Sequence, residues 1–259
     1  MVFVLGHHGM LGSVVHHYLA KQGYRVITSE RRYRVEPECA LLQDVVAAHA
    51  EAVVNCLGAI PAAGRSGAEV MTSNGLLPSH LAAVLGGTLL IHASTDCVFD
   101  GSKGHYSIHD APNSTDAYGL SKRIGEACAF WPNTVILRTS IVGPSAGAGR
   151  GLLGWFLSQD GPVDGWTDHL WNGITTLAWA ELAARTIEGT GLRPGLHHPT
   201  TVGPVNKEEL LRLFANVFDH RIQIRPIATG RTMDRTLVPT VEMTSLLEQL
   251  IALKEWMRD

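Results

Sequence analysis

The sequence has 259 residues, a formal net charge of -3 and an isoelectric point near 6.5, with acidic and basic residues interspersed. This length fits one large α/β domain, or a nucleotide-binding domain with a smaller partner. The charge balance gives no basic surface for nucleic acid or anionic lipid, and no apolar run reaches the ~20 residues of a membrane span. We therefore expect a cytoplasmic protein with a small-molecule ligand and with neither a nucleic-acid nor a membrane partner.

The cysteines and histidines predict no metal site. The cysteines are scattered without a C-x-x-C pair, which predicts reduced, buried thiols, and they are Cys39, Cys56, Cys97 and Cys128. Histidines occur as adjacent pairs at 7–8, 16–17 and 197–198. Because neighbouring residues on a helix or strand point apart, such pairs rarely chelate one ion. We expect no bound metal.

Strands and helices alternate from the N-terminus. Short apolar runs predict buried strands at 2–5, 25–28, 52–57, 88–93 and 134–137. Apolar residues at helical spacing predict helices at 13–22, 41–50, 67–85 and 117–130. This rhythm predicts an α/β fold, a Rossmann-type doubly wound parallel sheet, although "RRYRVEPECA" at 31–40 leaves little room for a further strand.

The pattern changes after residue 142. A glycine-rich connection, "GPSAGAGRGLLG", leads into mixed segments, followed by a predicted helix at 176–189 and a strand at 195–198 that returns to the sheet. We assign 1–142, with 174–198 returning to it, to a dinucleotide-binding Rossmann domain. The remaining segments, 143–173 and 199–259, are assigned to a smaller C-terminal substrate-binding region.

The loop "GHHGMLG" follows the first predicted strand and precedes an amphipathic helix. Its glycines permit a tight turn, a close approach of the backbone to a pyrophosphate and close packing of helix on strand. The helix N-terminus also offers free N–H groups to an anion. The predicted cofactor contacts of this loop are Gly6, Gly9, Met10, Leu11 and Gly12.

The second strand ends in "TSERR", where the adenine ribose of a dinucleotide is expected. Glu30 is suited to accept hydrogen bonds from both ribose hydroxyls, which favours NAD(H). Arg31 and Arg32 are suited to pair with a 2′-phosphate, which favours NADP(H). We favour NADP(H), with Glu30 turned away from the ribose, and NAD(H) stays open.

A second loop, "NCLGAIP", follows a central strand at the same edge of the sheet. The backbone of this loop, at Asn55, Leu57 and Gly58, is placed to line the adenine or the ribose. An ordinary turn from strand to helix explains the segment equally well.

Tyr118 and Lys122, in "DAYGLSKRIGE", are four residues apart on a predicted helix and share one face. A cation beside a phenol favours the phenolate and lowers the phenol's pKa, which suits acid–base work. The preceding strand ends in Ser94 and Thr95, whose hydroxyls lie at the edge where open α/β folds bind ligands. Together these four side chains predict an active site.

The glycine loop, "STDCVFDG", "YGLSK" and "LRTSIVG" occur in the order seen in extended short-chain dehydrogenases/reductases, and the chain most resembles the dTDP-4-dehydrorhamnose reductase branch. The resemblance implies that Thr95, Tyr118 and Lys122 are catalytic, and that Tyr118 and Lys122 also contact the cofactor. Two positions depart from the family pattern. Cys97 and Ile141 stand where aromatic residues are common beside the substrate.

The resemblance implies reduction of a nucleotide-linked 4-keto-6-deoxysugar by NAD(P)H, in deoxysugar or polysaccharide biosynthesis. Tyr118 would donate the proton, Lys122 would hold the nicotinamide ribose and lower the pKa of Tyr118, and Thr95 would hold the ketone oxygen. An epimerase or dehydratase of the same fold, to which Asp96 would be relevant, and a non-catalytic dinucleotide-binding regulatory subunit stay open. A homodimer is a further expectation.

Substrate contacts are expected from two parts of the chain. The predicted contacts are Ser94, Cys97, Trp171, Asn172 and Arg231. Trp171 is suited to stack on a base or sugar, or simply to pack between two regions. Arg231 and Arg235 are suited to the diphosphate, or to surface salt bridges.

Overall fold

Parallel strands form a central sheet in this computed structural model, which describes residues 1–61, 66–145 and 151–258. The strands are, in chain order, β1 Val2–Leu5, β2 Val26–Ile27, β3 Ala52–Asn55, β4 Leu89–Ser94, β5 Thr134–Arg138, β6 Ile141–Val142, β7 Val163–Trp166, β8 His169–Trp171, β9 Ile174–Thr175, β10 Gly195–His197, β11 Pro199–Thr200, β12 Val205–Asn206, β13 Ile224–Ile227, β14 Met233–Asp234 and β15 Val241–Glu242. The central sheet has six strands in the order β10-β5-β4-β3-β1-β2, and all its pairings are parallel.

The sheet order reverses direction between β1 and β3. The chain runs outward from β1 to β2 on one side, and from β3 through β4 and β5 to β10 on the other. Ligands of open α/β sheets bind at such a switch point, outside the carboxyl ends of the strands. The predicted doubly wound parallel sheet is therefore confirmed, and the loops after β1 and β3 meet at its switch point.

Helices cover both faces of the sheet. They are α1 Met10–Lys21, α2 Ala40–Ala47, α3 Gly67–Met71, α4 Leu77–Leu85, α5 Ala117–Gly125, α6 Gly151–Leu157, α7 Thr176–Ile187, α8 Lys207–Val217 and α9 Leu246–Trp256. Across the described ranges, no helix combines the length and the apolar character that crossing a bilayer requires. The middle of the predicted glycine-rich connection, 146–150, lies outside the described residues.

Two helices differ from their predicted extent. The helix predicted at 67–85 is interrupted by a π-helical turn, Thr72–Leu76. Within it, the buried amide of Asn74 accepts from Ala59 N at 2.7 Å and donates to Ala59 O at 2.9 Å, so the turn ties the helix to the loop after β3. The helix predicted at 117–130 ends at Gly125 and continues as a 3-10 helix.

Alternating side chains of the strands fill a core on each face of the sheet. Val2 and Val4 pack into the cluster beneath α1 and α7, where Trp179 is fully buried. Phe3 and Leu5 point the other way, into the cluster beneath α2 and α4. β2 is shorter than predicted, and none of residues 31–39 forms a strand, so the central sheet ends at β2.

The later part of the chain forms short sheets around a third core. β8 pairs with β12 and β14, and β13 pairs with β7. Phe156 and Phe214 pack in this core beneath α8 and α9. β14 reaches back to the segment after β4, where Asp234 N donates to Gly101 O at 2.8 Å. The C-terminal segments are thereby held over the carboxyl edge of the central sheet.

The first turn after β1 depends on a missing side chain at Gly12. A Cβ at this position would lie 2.1 Å from Gly6 O. Because that neighbour is backbone, the added methyl forces the loop and α1 apart, and we expect Gly12→Ala to lower the free energy of unfolding by about 1–3 kcal/mol. Urea unfolding measures the change. Gly67→Ala, where a Cβ meets nothing within 4 Å, is the matched control, and equal losses in both variants would contradict the close-packing argument.

Candidate active site and dinucleotide cleft

The glycine loop and the loop after β3 lie against each other at the switch point of the sheet. Gly6 has a φ of 79°, and a Cβ there would lie 2.9 Å from Leu57 N, so the loops are in close contact. Gly9 N donates to Gly6 O at 2.8 Å, and Gly9 caps α1 without a side chain. Because no side chain occupies the α1 N-terminus, its first N–H groups, at Met10 and Leu11, are placed for an anion.

Asn55 holds the loop after β3 in place. Its buried side chain contacts His92 Nδ1 at 3.1 Å and accepts from Leu57 N at 3.1 Å. This side chain is therefore used to hold the loop, while Gly58 is exposed. The expected contact of the Asn55 backbone with the cofactor stays a prediction, because burial of the side chain does not test it.

Glu30, at the end of the segment after β2, contacts both histidines of the glycine loop. Its Oε1 lies 3.0 Å from His7 Nε2 and 2.9 Å from His8 Nε2. The hydrogen bond from His8, followed by the one from His7, lowers the pKa of this exposed carboxyl group. Glu30 is thus bonded to the glycine loop. This position agrees with the expectation that its carboxylate is turned away from the ribose.

The arginines after Glu30 are placed differently from one another. Arg31 Nε pairs with Asp44 Oδ2 at 3.1 Å, and Ser29 donates to the same oxygen. Arg32 is exposed and lines a cleft of about 750 Å³ together with Arg34 and Leu57. The predicted phosphate pairing therefore fits Arg32 better than Arg31, whose guanidinium already has a carboxylate partner.

Thr95 and Tyr118 bring two hydroxyl groups together beyond the end of β4. Thr95 is buried, accepts from Cys97 N at 3.2 Å and donates to Asp96 Oδ1 at 3.1 Å. Tyr118 lies in the first turn of α5, whose N-cap Asp116 accepts from Tyr118 N at 3.0 Å. The phenol interacts with the Thr95 hydroxyl, and burial, with smaller contributions from Cys97 and Asp96, raises the pKa of Tyr118 well above its usual value.

Lys122 lies one turn further along α5 and is buried. Its Nζ donates to Ala93 O at 2.6 Å. Burial lowers the pKa of Lys122 to about 8, against the opposing effect of the Glu126 carboxylate. The lowering of the Tyr118 pKa that the resemblance implies is absent here, because burial dominates at the phenol.

A buried ion pair lies behind Lys122. Arg138 Nε donates to Glu126 Oε1 at 2.8 Å and Arg138 NH2 to Oε2 at 2.5 Å, with the two side chains only 3% and 9% exposed. Ser94 Oγ donates to the same carboxylate at 2.6 Å, and Arg138 NH1 contacts His198 Nε2 at 3.1 Å. The Ser94 hydroxyl is therefore committed to Glu126, which corrects its expected role as a substrate contact.

Sequence reasoning missed this network, although part of it had a signal. Glu126 stands four residues after Lys122 in "YGLSKRIGE", which places it on the same helical face. Arg138 belongs to "LRTSIVG", but nothing in that string names its partner. His198, whose pKa is lowered to about 4 by burial and then by Arg138, had no signal at all.

Two cations lie on the substrate side of Tyr118. Arg235 NH1 contacts Cys97 Sγ at 3.4 Å, and its Nε is buried with no hydrogen-bond partner in the part of the chain that the structure describes. Lys207 Nζ lies 5.3 Å from the centre of the Trp171 ring, and burial lowers its pKa while Asp96 and then Cys97 oppose the shift. Half-buried positive charge of this kind favours an anionic ligand group.

Three other predicted substrate contacts are placed differently. Trp171 is 3% exposed and packs in the core around α8. It therefore packs inside the protein rather than stacking on a base or sugar. Asn172 donates to Leu237 O at 2.8 Å and accepts from Leu237 N at 3.1 Å, so its amide holds the 237 segment. Arg231 lies in an exposed turn, whereas Arg235 reaches the site. Trp171 and Asn172 therefore support the site without facing a substrate.

The fold and the arrangement of Thr95, Tyr118 and Lys122 define a Rossmann-type protein of the extended short-chain dehydrogenase/reductase class. The sequence matches the family described as RmlD substrate binding domain over residues 1–235, so the chain belongs to that family. A dTDP-4-dehydrorhamnose reductase from Bacillus anthracis, solved in complex with NADP, superposes with a TM-score of 0.84 at 17% identity over 98% of each chain. At that identity the likeness shows the shared fold.

Two curated relatives match a large part of the sequence. A probable low-salt glycan biosynthesis reductase from Haloferax volcanii is 36% identical over 171 residues, which cover 59% of this chain and 57% of that protein. A dTDP-4-dehydrorhamnose reductase from Streptomyces griseus is 36% identical over 146 residues, covering 53% of this chain and 48% of that protein. The chain thus spans about half the length of these relatives.

We expect Glu126→Gln to lower the pKa of Lys122 below about 8, because the carboxylate that favours the ammonium form is lost. The pKa of Lys122 in the folded chain lies below the ~10.4 of an unfolded lysine, so the unfolded state binds more protons between these values. The contribution of Lys122 to the free energy of unfolding therefore rises as pH rises from about 8 to ~10.4. In Glu126→Gln this pH range should begin at a lower pH.

An NMR titration of the Lys122 side chain measures the shift, with the signal assigned by Lys122→Arg. The variant should also be destabilised by about 3–5 kcal/mol, because Arg138 loses its counter-charge in the interior. Glu255→Gln, on the exposed side of α9, is the control. An unchanged Lys122 titration in folded Glu126→Gln would show that the carboxylate does not act on the lysine.

Proposed function

We propose that this chain is an NADPH-dependent reductase of a nucleotide-linked 4-keto-6-deoxysugar, acting in deoxysugar or polysaccharide biosynthesis. The observation that carries the proposal is the meeting of the Thr95 and Tyr118 hydroxyls beside buried Lys122. Family membership and the names of the relatives support the same reaction.

The dinucleotide fits the cleft at the sheet's switch point. An α1 N-terminus without a capping side chain, and a glycine loop against the backbone of Leu57, suit a pyrophosphate. When bound, the dinucleotide supplies the hydride for the substrate carbon. The residues that we propose to hold it are those of the glycine loop, the Leu57–Gly58 backbone, Tyr118 and Lys122.

Tyr118 is the proposed proton donor. The phenol is protonated at neutral pH, so a proton is available when the ketone oxygen gains negative charge. Thr95 would hold that oxygen through its hydroxyl. Lys122, with a pKa of about 8, is mostly an ammonium at pH 7 and would hold a ribose hydroxyl and stabilise the tyrosinate left by proton transfer.

The anionic part of the substrate is proposed to lie against Lys207 and Arg235. Both are contributed by the segment 199–259, and Arg235 has a buried Nε without a partner among the described residues. This supports a division in which 1–142 and 174–198 bind the dinucleotide while 143–173 and 199–259 bind the nucleotide-diphosphate sugar. Cys97, smaller than the aromatic residue common in the family, would leave more room beside the sugar.

NADP(H) is the favoured cofactor, with NAD(H) as the alternative. Glu30 is engaged by His7 and His8, and exposed Arg32 stands in the adjoining cleft. The similar Bacillus anthracis structure is an NADP complex. A freely exchanging cofactor would support a reductase, whereas NAD retained through purification would favour an epimerase or dehydratase that returns the hydride.

The other expectations stay predictions. A homodimer is one of them, and the mass of the protein in solution tests it. A cytoplasmic location is likewise untested. A non-catalytic regulatory role would be supported by dinucleotide binding without turnover of any keto-sugar nucleotide.

Tyr118→Phe removes the proposed proton donor and keeps the ring. We expect the variant to fold, still to bind NADPH, because only one hydroxyl of the proposed cofactor contacts is removed, and to lose about 10²–10⁴ in kcat. Consumption of NADPH with a 4-keto-6-deoxysugar nucleotide measures the loss. Tyr24→Phe, whose hydroxyl contacts Glu188 away from the site, is the control, and full turnover by the Tyr118 variant would refute the assignment.

Arg32→Ala tests the cofactor preference. Removing a charged hydrogen bond to the 2′-phosphate should weaken NADPH binding by about tenfold and leave NADH binding unchanged. Fluorescence titration with each dinucleotide gives the two dissociation constants. Arg193→Ala, outside the cleft, is the control, and a strong preference of the unmodified chain for NADH would overturn the NADP(H) proposal.

A further inference from the structure

Three metal-ligand groups converge beside the glycine loop. His7 and His8 come from the turn between β1 and α1, and Glu30 comes from the segment after β2. Their ligand atoms all lie within 4.8 Å of one another. The two imidazoles are not splayed as on a helix or strand, because the turn brings their ring centres to 3.9 Å. The expectation that adjacent histidines point apart therefore does not hold for His7 and His8, because they lie in a turn rather than on a helix or strand.

The spacing of these groups is close to that of ligands around one ion. Zinc binds imidazole nitrogen and carboxylate oxygen at about 2.0–2.2 Å, so neighbouring ligand atoms around a tetrahedral ion are about 3.3–3.6 Å apart. Glu30 Oε1 lies 3.0 Å from His7 Nε2 and 2.9 Å from His8 Nε2. An ion therefore needs Glu30 to move out by a few tenths of an ångström and the ligand atoms that are up to 4.8 Å apart to move closer together. The side chains of His8 and Glu30, 74% and 76% exposed, are free to make these shifts.

We propose that His7, His8 and Glu30 form a binding site for a divalent transition-metal ion of the zinc class. Two imidazoles with one carboxylate favour such an ion over Mg²⁺ or Ca²⁺, which prefer oxygen ligands. His7, whose side chain is 13% exposed, anchors the site, while the other two ligands leave it open to solvent. The site is separate from Thr95, Tyr118 and Lys122.

The test is calorimetric titration of tag-free protein with ZnCl₂ in the absence of dinucleotide. We expect one ion per chain with a micromolar or tighter dissociation constant. His8→Ala and Glu30→Gln should each weaken binding by at least about tenfold, and His109→Ala, which removes an exposed imidazole elsewhere, should not.

Because His8 and Glu30 are mostly exposed, both variants should keep the fold, and circular dichroism checks this. Two outcomes would overturn the proposal. One is the absence of saturable zinc binding. The other is zinc binding that neither His8→Ala nor Glu30→Gln weakens, which would place the ion at other surface histidines.

A consequence for cofactor choice rests on the proposed function. An ion at this site cancels the charge of the Glu30 carboxylate, so the 2′-phosphate of NADPH loses a repulsion while NADH, which has no 2′-phosphate, gains nothing. Saturating zinc should therefore raise the ratio of the NADH to the NADPH dissociation constant in the unmodified chain and not in His8→Ala. An unchanged ratio refutes this coupling, whereas failure to bind either dinucleotide counts against the proposed function.

Discussion

The buried ion pair between Glu126 and Arg138 is the interaction on which the candidate active site depends. It joins the 3-10 turn after α5 to the end of β5. Helix α5 carries Tyr118 and Lys122. Through Ser94 it holds the end of β4, and through His198 it reaches the segment after β10. Three neighbouring strands and the helix that carries Tyr118 are thereby tied together at one edge of the sheet.

The charge of this pair also decides how Lys122 behaves. A lysine buried without a counter-charge loses its proton, because desolvation penalises the ammonium form. Glu126 opposes that effect, and the pKa of Lys122 stays at about 8. Well-packed apolar residues in place of an ion pair often stabilise a fold equally well or better. The carboxylate at 126 is therefore better explained by the charge that it provides beside Lys122 than by stability.

The sequence predicted the local features well and the distant partners poorly. Apolar periodicity located the strands of the central sheet and the helices around it, because these patterns reflect burial of one face or of both. It did not reveal the π-helical turn at Thr72–Leu76, whose cause is an Asn74 amide bonded to the loop after β3. Nor did it reveal that Asn172 pairs with Leu237, 65 positions away. A sequence does not show whether a polar side chain is free to bind a ligand or is already hydrogen-bonded to a distant part of the chain.

By itself, the sequence determined the doubly wound sheet, the glycine loop at the end of β1 and the placement of Tyr118 and Lys122 on one helical face. Each follows from spacing within a few residues of the chain. Only the tertiary structure decided that Arg235 rather than Arg231 reaches the site, that Ser94 is bonded to Glu126, and that His7, His8 and Glu30 converge. Those outcomes depend on segments far apart in the sequence, whose approach is set by packing of the whole chain.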